Sequence, residues 1–214
     1  RLRVRAEERC VRCGAPLGQE RSAAQGGRCP LCPPPEAAWR GVLAVTGYWD
    51  PAPRCVHLFK YYRRWEMGRW MGGQMIEHLE GPLATLRGRL DCVAPVPLHW
   101  ARRLTRGFNQ SHWLAEPLAG RLGLAYDAGL LRRRRWTARQ AMLPREKRRG
   151  NVAGAFALCP GRGVQGQGIL LVDDVVTTGE TVGECARILR QAGAREVWVA
   201  CFARAGMAGR PEES

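Results

Sequence analysis

Residues 169–181 read ILLVDDVVTTGET. Four apolar residues lead into two adjacent aspartates, and a threonine–glycine turn follows. An unbroken apolar run of this kind is the pattern of a strand buried on both faces, as in a parallel sheet. Ending such a strand in two carboxylates is costly, because like charges repel and burial disfavours the ionised form. The cost points to a use. In open α/β sheets, ligands bind outside the carboxyl ends of the strands, and Asp173 and Asp174 stand at such an end. Beyond them, Thr177, Thr178, Gly179, Glu180 and Thr181 lead into a helix and offer N–H groups and hydroxyls at its N-terminus. That is an anion site suited to a phosphate dianion. Gly179 removes the Cβ that would hold backbone and phosphate apart. A ligand whose phosphate docks in the loop while its vicinal hydroxyls donate to the acids fits both halves, and ribose 5-phosphate is such a ligand. The same carboxylates suit magnesium, directly or through water.

The stretch also organises its neighbours. GILLVDD (168–174) is followed by TVGECARILRQAG (181–193), which puts Val182, Ala186 and Leu189 on one helical face with Gly193 as a C-cap. REVWVACFA (195–203) then reads as the next strand. A strand–loop–helix–strand order predicts a parallel pair with a right-handed crossover. Upstream, GVLAVTGYW (41–49) and LDCVAPVPL (90–98) read as strands. Residues 55–79 show helical spacing interrupted by Gly72 and Gly73, and residues 109–124 read as a helix carrying Pro117. The expected architecture is α/β, a parallel sheet with flanking helices.

A composition shift falls at CPPPEAAW (32–39), where three consecutive prolines continue neither a helix nor a central strand. It divides a head over 1–36 from a main domain over 37–214. The head holds Cys10, Cys13, Cys29 and Cys32 in the spacing C-x2-C-x15-C-x2-C. Two such pairs present four sulfurs to one tetrahedral metal, so a structural zinc is expected there. The head has few apolar residues, and metal binding worth on the order of 10–16 kcal/mol supplies what a core cannot. The other five cysteines sit in mostly apolar surroundings and read as reduced core residues.

With 214 residues and 45% hydrophobic content, the chain can bury a core. No apolar run approaches the roughly 18–20 residues of a membrane span, so no membrane insertion is expected. RLRVRAEERC at the start has no apolar secretory region, and a cytoplasmic location is expected. The net charge of +15 favours polyanions, although only Lys60 and Lys147 are lysines, and a general arginine bias accounts for part of it.

ILLVDDVVTTGET closely resembles the phosphoribosyl-pyrophosphate signature of type I phosphoribosyltransferases. The order of the cysteine head, FKYYRR, VAPVPLHWARRLTRGFNQS and then the signature resembles the ComF family of competence-associated phosphoribosyltransferase-like proteins, over nearly the whole chain. The resemblance implies a type I phosphoribosyltransferase-like fold with a zinc-ribbon head. It implies that Asp173 and Asp174 hold the ribose 2- and 3-hydroxyls, as the reaction centre, and that Thr177 through Thr181 wrap the 5-phosphate of magnesium-bound phosphoribosyl pyrophosphate. Lys60 matches a family position and is expected to touch a phosphate. The segment with Arg102, Arg103 and Arg106 is expected to form the pyrophosphate loop, since guanidinium pairs bidentately with phosphate. Residues 132–149 hold nine basic residues against Glu146 alone and fall where a lid belongs, with Arg139, Lys147 and Arg148 able to supply charge.

Two functions stay open. One is transfer of the phosphoribosyl group to a nitrogen nucleophile with release of pyrophosphate. The other is a non-catalytic module that keeps the pocket while its basic surface contacts single-stranded DNA or DNA-uptake proteins, as the family's link to competence implies. FKYYRRWEMGRW interleaves basic and aromatic residues, which suits a strand-binding face or an amphipathic helix packing its aromatics inward.

Overall fold

The computed structural model describes residues 10, 12–14, 32, 37–62, 64–98, 107–135 and 152–205. Its main sheet contains β1 (Val42–Gly47), β2 (Cys92–Pro95), β3 (Ala125–Tyr126), β6 (Gly168–Val176) and β7 (Glu196–Arg204). Their order is β1-β7-β6-β2-β3, and every pairing is parallel. Helices α1 (Ala52–Tyr62), α2 (Trp65–Ala84), α3 (Gln110–Leu122) and α4 (Glu180–Gln191) make the crossovers. A separate antiparallel hairpin pairs β4 (Leu131–Arg133) with β5 (Phe156–Leu158).

The apolar run of β6 serves both faces, as its lack of alternation requires. Leu170 and Val172 join Val93, Ala200 and Phe202 against α1–α3, where Phe59, Met71, Met75, Leu114 and Leu118 fill the core. Ile169 and Leu171 join Val197, Val199 and Cys201 against α4 and the hairpin, through Val182, Cys185, Leu189, Leu131 and Phe156. Four of the five cysteines outside the head follow the same logic: Cys55, Cys92, Cys185 and Cys201 are buried, while Cys159 is half-buried.

Two details depart from the sequence reading. The helical stretch breaks between α1 and α2, not at Gly72 and Gly73, which lie inside α2. Gly72 faces α3: a Cβ there would lie 3.6 Å from Pro117 Cγ and 3.8 Å from the Trp113 carbonyl, ordinary contact distances. Proline at 117 has no N–H for that carbonyl. The head is also no isolated appendage among its described residues. Cys10 and Cys13 are buried in the same cluster as Trp39, Val42, Val176 and Val182, and Val42 N donates to Arg12 O at 2.9 Å.

At the opposite end of the sheet, Gly168 starts β6 against the Arg89 carbonyl, and a Cβ there would lie 1.7 Å from that oxygen. The obstacle is backbone, which cannot swing aside. Gly168→Ala is therefore expected to cost about 3 kcal/mol, the upper range for overpacking, read from the urea midpoint at unchanged slope. A loss under ~0.5 kcal/mol would mean that the β2–β6 start is loose.

Candidate functional site: an acidic pair at the sheet switch point

The chain leaves β2 through α3 toward β3 and leaves β6 through α4 toward β7, so the connections diverge at the β2–β6 boundary. A crevice opens outside the carboxyl ends of strands at such a switch point. Two helix N-termini, those of α3 and α4, follow these strands. Asn109 caps α3 by accepting from Ser111 N at 3.2 Å, and its amide nitrogen donates to Val96 O at 3.1 Å. The cap holds Ser111 over β6, where its Oγ donates to Asp173 Oδ1 at 2.9 Å.

The two carboxylates are compensated unequally. Asp174 is buried, and its Oδ2 meets Lys60 Nζ at 2.7 Å. Lys60 comes from the last turn of α1 and is itself mostly covered. Asp174 Oδ1 accepts from Val175 N at 2.8 Å. Asp173 has Ser111 and the Asp174 N–H, at 2.9 Å, but among the described residues no cation of its own at this range. Burial, and next the charge of Asp174, push its carboxyl up to about 7, against the opposing pull of Lys60 and Ser111. Arg133, on β4, is near enough to feel the charges of Cys185 and Asp173, while burial lowers its own pKa. Its guanidinium lies 5.1 Å from the Phe156 ring centre.

The loop 177–179 and the first turn of α4 complete the crevice. Gly179 is the N-cap, with φ +87°, a left-handed conformation that side chains with a Cβ adopt at a cost. Among the described residues no side chain caps this helix. The first-turn N–H groups of a helix have no partners within it. Glu180 and Thr181 contribute N–H groups to that turn.

Asp173, Asp174, Lys60 and Thr177 through Thr181 are therefore gathered at one end of the sheet. Lys60 is placed on an acid of the pair. Arg102, Arg103, Arg106, Arg139, Lys147, Arg148 and Cys29 lie outside the described residues, and so does Trp136. The hairpin strands β4 and β5 flank the basic segment, and Gly154 N ties its far end to Glu184 Oε1 of α4 at 2.7 Å. Sequence reading passed over Ser111, Arg133 and Trp39. Ser111 was visible inside RGFNQS, but only the fold shows that it reaches Asp173, 62 residues away.

In the head, the sulfurs of Cys10, Cys13 and Cys32 all lie within 4.8 Å of one another. Tetrahedral zinc with bonds of about 2.3 Å sets sulfur–sulfur separations of about 3.8 Å. The three described sulfurs fit such a centre, and the Cys10–Cys32 separation of 3.3 Å is far beyond a disulfide bond.

The phosphoribosyl transferase domain model matches residues 115–214. The DNA utilization protein YhgH of Salmonella typhi is 39% identical over 197 residues, 91% of this chain and 83% of that protein. Competence protein F of Haemophilus influenzae is 29% identical over 198 residues, 92% of this chain and 84% of that one. The chain belongs to the competence protein F family. Its parallel sheet is that of a type I phosphoribosyltransferase. A shorter match, 56% identical over 39 residues, is to ribose-phosphate pyrophosphokinase 1 of Archaeoglobus fulgidus, covering 18% of this chain and 13% of that one. No described helix is long and apolar enough to cross a membrane.

Proposed function

We propose that the crevice binds the ribose 5-phosphate part of phosphoribosyl pyrophosphate, and that the chain acts on this ligand in a DNA-handling role linked to competence. The observation that carries the reading is the Asp173–Asp174 pair, fixed by Ser111 and Lys60 beside an uncapped helix N-terminus. Thr177 through Thr181 hold the 5-phosphate by N–H groups and hydroxyls. The ionised acids accept hydrogen bonds from the ribose 2- and 3-hydroxyls. Asp173 and Asp174 would hold magnesium, directly or through water, and the metal would neutralise pyrophosphate charge. In the catalytic form of the proposal, a nitrogen nucleophile forms a bond to C1 as the C1–oxygen bond breaks and pyrophosphate leaves with the electron pair. Cations stabilise that leaving group, and Arg102, Arg103, Arg106 and Lys147 are the sequence candidates. Zinc at Cys10, Cys13, Cys29 and Cys32 has four thiolate ligands and no open position, so its part is structural. The test is incubation with phosphoribosyl pyrophosphate, magnesium and a panel of nitrogenous bases. Pyrophosphate release above the base-free rate supports transfer. Binding without release for any base leaves a sensing module, and no binding sinks both.

Protonation adds a check. Ionised, Asp173 accepts more strongly from its ribose hydroxyl. With its carboxyl at about 7, the ionised fraction rises about tenfold between pH 6 and pH 8. Affinity for ribose 5-phosphate without magnesium is expected to rise by a similar factor over that range in calorimetry. A phosphate monoester lacking the vicinal hydroxyls serves as control for the phosphate's own ionisation near pH 6. The ligand-free fold has the opposite trend. A carboxyl raised in the folded state stabilises below its unfolded value, and that stability is lost as pH rises through about 7. Equal pH profiles for ligand and control would remove Asp173 from hydroxyl binding.

A second reading, contact with single-stranded DNA, has one observation in its favour. The helix α1 buries Phe59 but leaves Tyr61 and Tyr62 exposed at 45% and 63%, with His57 stacked against both. Trp65 and Trp70 instead pack against Phe108, Trp113 and Phe202. Backbone contact predicts log affinity falling linearly with log salt, at about −0.7 per phosphate neutralised. An affinity flat in salt excludes it.

A further inference from the structure

Arg204 closes β7, whose residues 197–203 are apolar, and is 3% exposed. A buried guanidinium is costly unless paired. Among the described residues, its acceptors are all carbonyl oxygens. Nε donates to Cys13 O at 2.9 Å. Nη1 donates to Val176 O at 3.1 Å, to Ala205 O at 2.7 Å and to Thr177 O. One side chain thus grips the first cysteine turn and the start of the anion loop.

Peptide geometry turns this grip into a constraint on the loop. In a trans peptide the C=O and the following N–H point in opposite directions. Holding the Val176 and Thr177 oxygens toward Arg204 aims the Thr177 and Thr178 N–H groups away from it. Ala205 N fixes the Val176 oxygen a second time, at 2.9 Å. The cysteine turn is itself clamped. Gly14 N donates to Cys10 O, and Val42 N to Arg12 O, both at 2.9 Å. A Cβ on Gly14 would lie 2.6 Å from Val42 O. Trp39, buried in the same cluster, makes a second bridge, lying 3.7 Å from where Cβ atoms on Gly179 and Gly183 would stand.

We propose that Arg204 is a positioning residue coupling the cysteine metal centre to the anion loop. Metal on Cys10, Cys13 and Cys32 fixes the Cys13 carbonyl, and Arg204 transmits that order to the Thr177 and Thr178 peptides. The inference rests on the zinc and sugar-phosphate readings above. Its electrostatics point the same way. A zinc–thiolate centre of three or four cysteines is anionic, and so is the phosphate, and Arg204, with no carboxylate partner among the described residues, lies between the elements that hold them. Coupling of this kind is reciprocal: each ligand tightens the other's binding by the same factor.

The test uses cobalt in place of zinc in the full chain, because cobalt–thiolate absorption bands report ligand geometry. Titration with ribose 5-phosphate and magnesium is expected to shift those bands, with a midpoint matching the calorimetric Kd. Zinc affinity, by equilibrium competition with a zinc-selective chelator, is expected to rise about tenfold at saturating ribose 5-phosphate. In Arg204→Gln, ribose 5-phosphate still binds, more weakly, but the bands stay fixed and the zinc affinity no longer responds. Arg204→Lys, which keeps the charge and loses the fork, is expected to recover part of the response. Linkage through global unfolding alone would raise zinc affinity equally in Arg204→Gln and leave the bands unmoved, and that result overturns the proposal. Unmoved bands in wild type despite calorimetric binding also overturn it, whether or not the variants fold. No binding of ribose 5-phosphate to the zinc-loaded chain would sink the functional reading and this one together. Binding without coupling sinks this one alone.

Discussion

The double substitution Asp173→Asn and Asp174→Asn lowers affinity for ribose 5-phosphate by at least ~100-fold while metal content and circular dichroism stay at wild-type values. The size follows from the lost bonds. Each ionised acid accepts from a ribose hydroxyl, and hydrogen bonds to charged groups contribute about 1.5–3 kcal/mol each. Two of them give about 3–6 kcal/mol, and every ~1.4 kcal/mol is a factor of ten. Folding should tolerate the change. Asparagine keeps the shape, Asp173 carries an unfavourable charge near neutral pH, and Lys60 has 22% of its side chain open to water once Asp174 no longer pairs with it. Asparagine can still accept from Ser111 Oγ and the Asp174 N–H. Calorimetry with magnesium present is the measurement. Affinity within tenfold of wild type would mean that the acids do not hold the sugar. If zinc and dichroism were lost as well, Asp173→Asn alone, which leaves the Lys60–Asp174 pair intact, repeats the test.

Removing the metal centre is expected to have the largest effect on stability. Cys13→Ser should lower the thermal midpoint by at least ~10 °C and abolish the stoichiometric zinc binding proposed for wild type. Cys10 and Cys13 are 3% and 0% exposed, inside the cluster that also buries Trp39, Val42, Val176 and Val182. Metal binding at such centres contributes on the order of 10 kcal/mol or more, against a whole-domain stability of about 5–15 kcal/mol. A loss of only ~4 kcal/mol moves the midpoint by about 10 °C at this chain size. Loosening the turn also loosens the Arg12 O bond to Val42 N and the Cys13 O bond to Arg204, so the edge strand β1 and the anion loop should be the first to exchange amide hydrogens. A midpoint shift under ~3 °C would show that no metal supports these cysteines.

The parallel sheet was legible because β6 is apolar on both faces, and only a strand covered by helices on each side needs that. The loop between β6 and α4 was legible because acids, hydroxyls and a glycine follow one another along the chain, and local chemistry is written in consecutive residues. The spacing of the cysteines is legible for the same reason. The break between α1 and α2 was not, since Gly72 and Gly73 look like a break in the sequence, yet both lie inside α2. Nor did FKYYRRWEMGRW say which aromatics turn inward; the α2–α3 contact decides that for Trp65.

By itself, then, the sequence determined the strand, the acidic pair at its end, the helix start beyond it and the four-cysteine pattern, because each depends on neighbours along the chain. The tertiary structure alone decided which distant groups meet them: Ser111 on Asp173, Lys60 on Asp174, and Arg204 between the Cys13 turn and the Thr177 peptide. Those pairings join residues 62, 114, 191 and 27 positions apart. A buried charge takes whatever partner the packing brings within about 3 Å, and only strand order and helix placement fix which one that is.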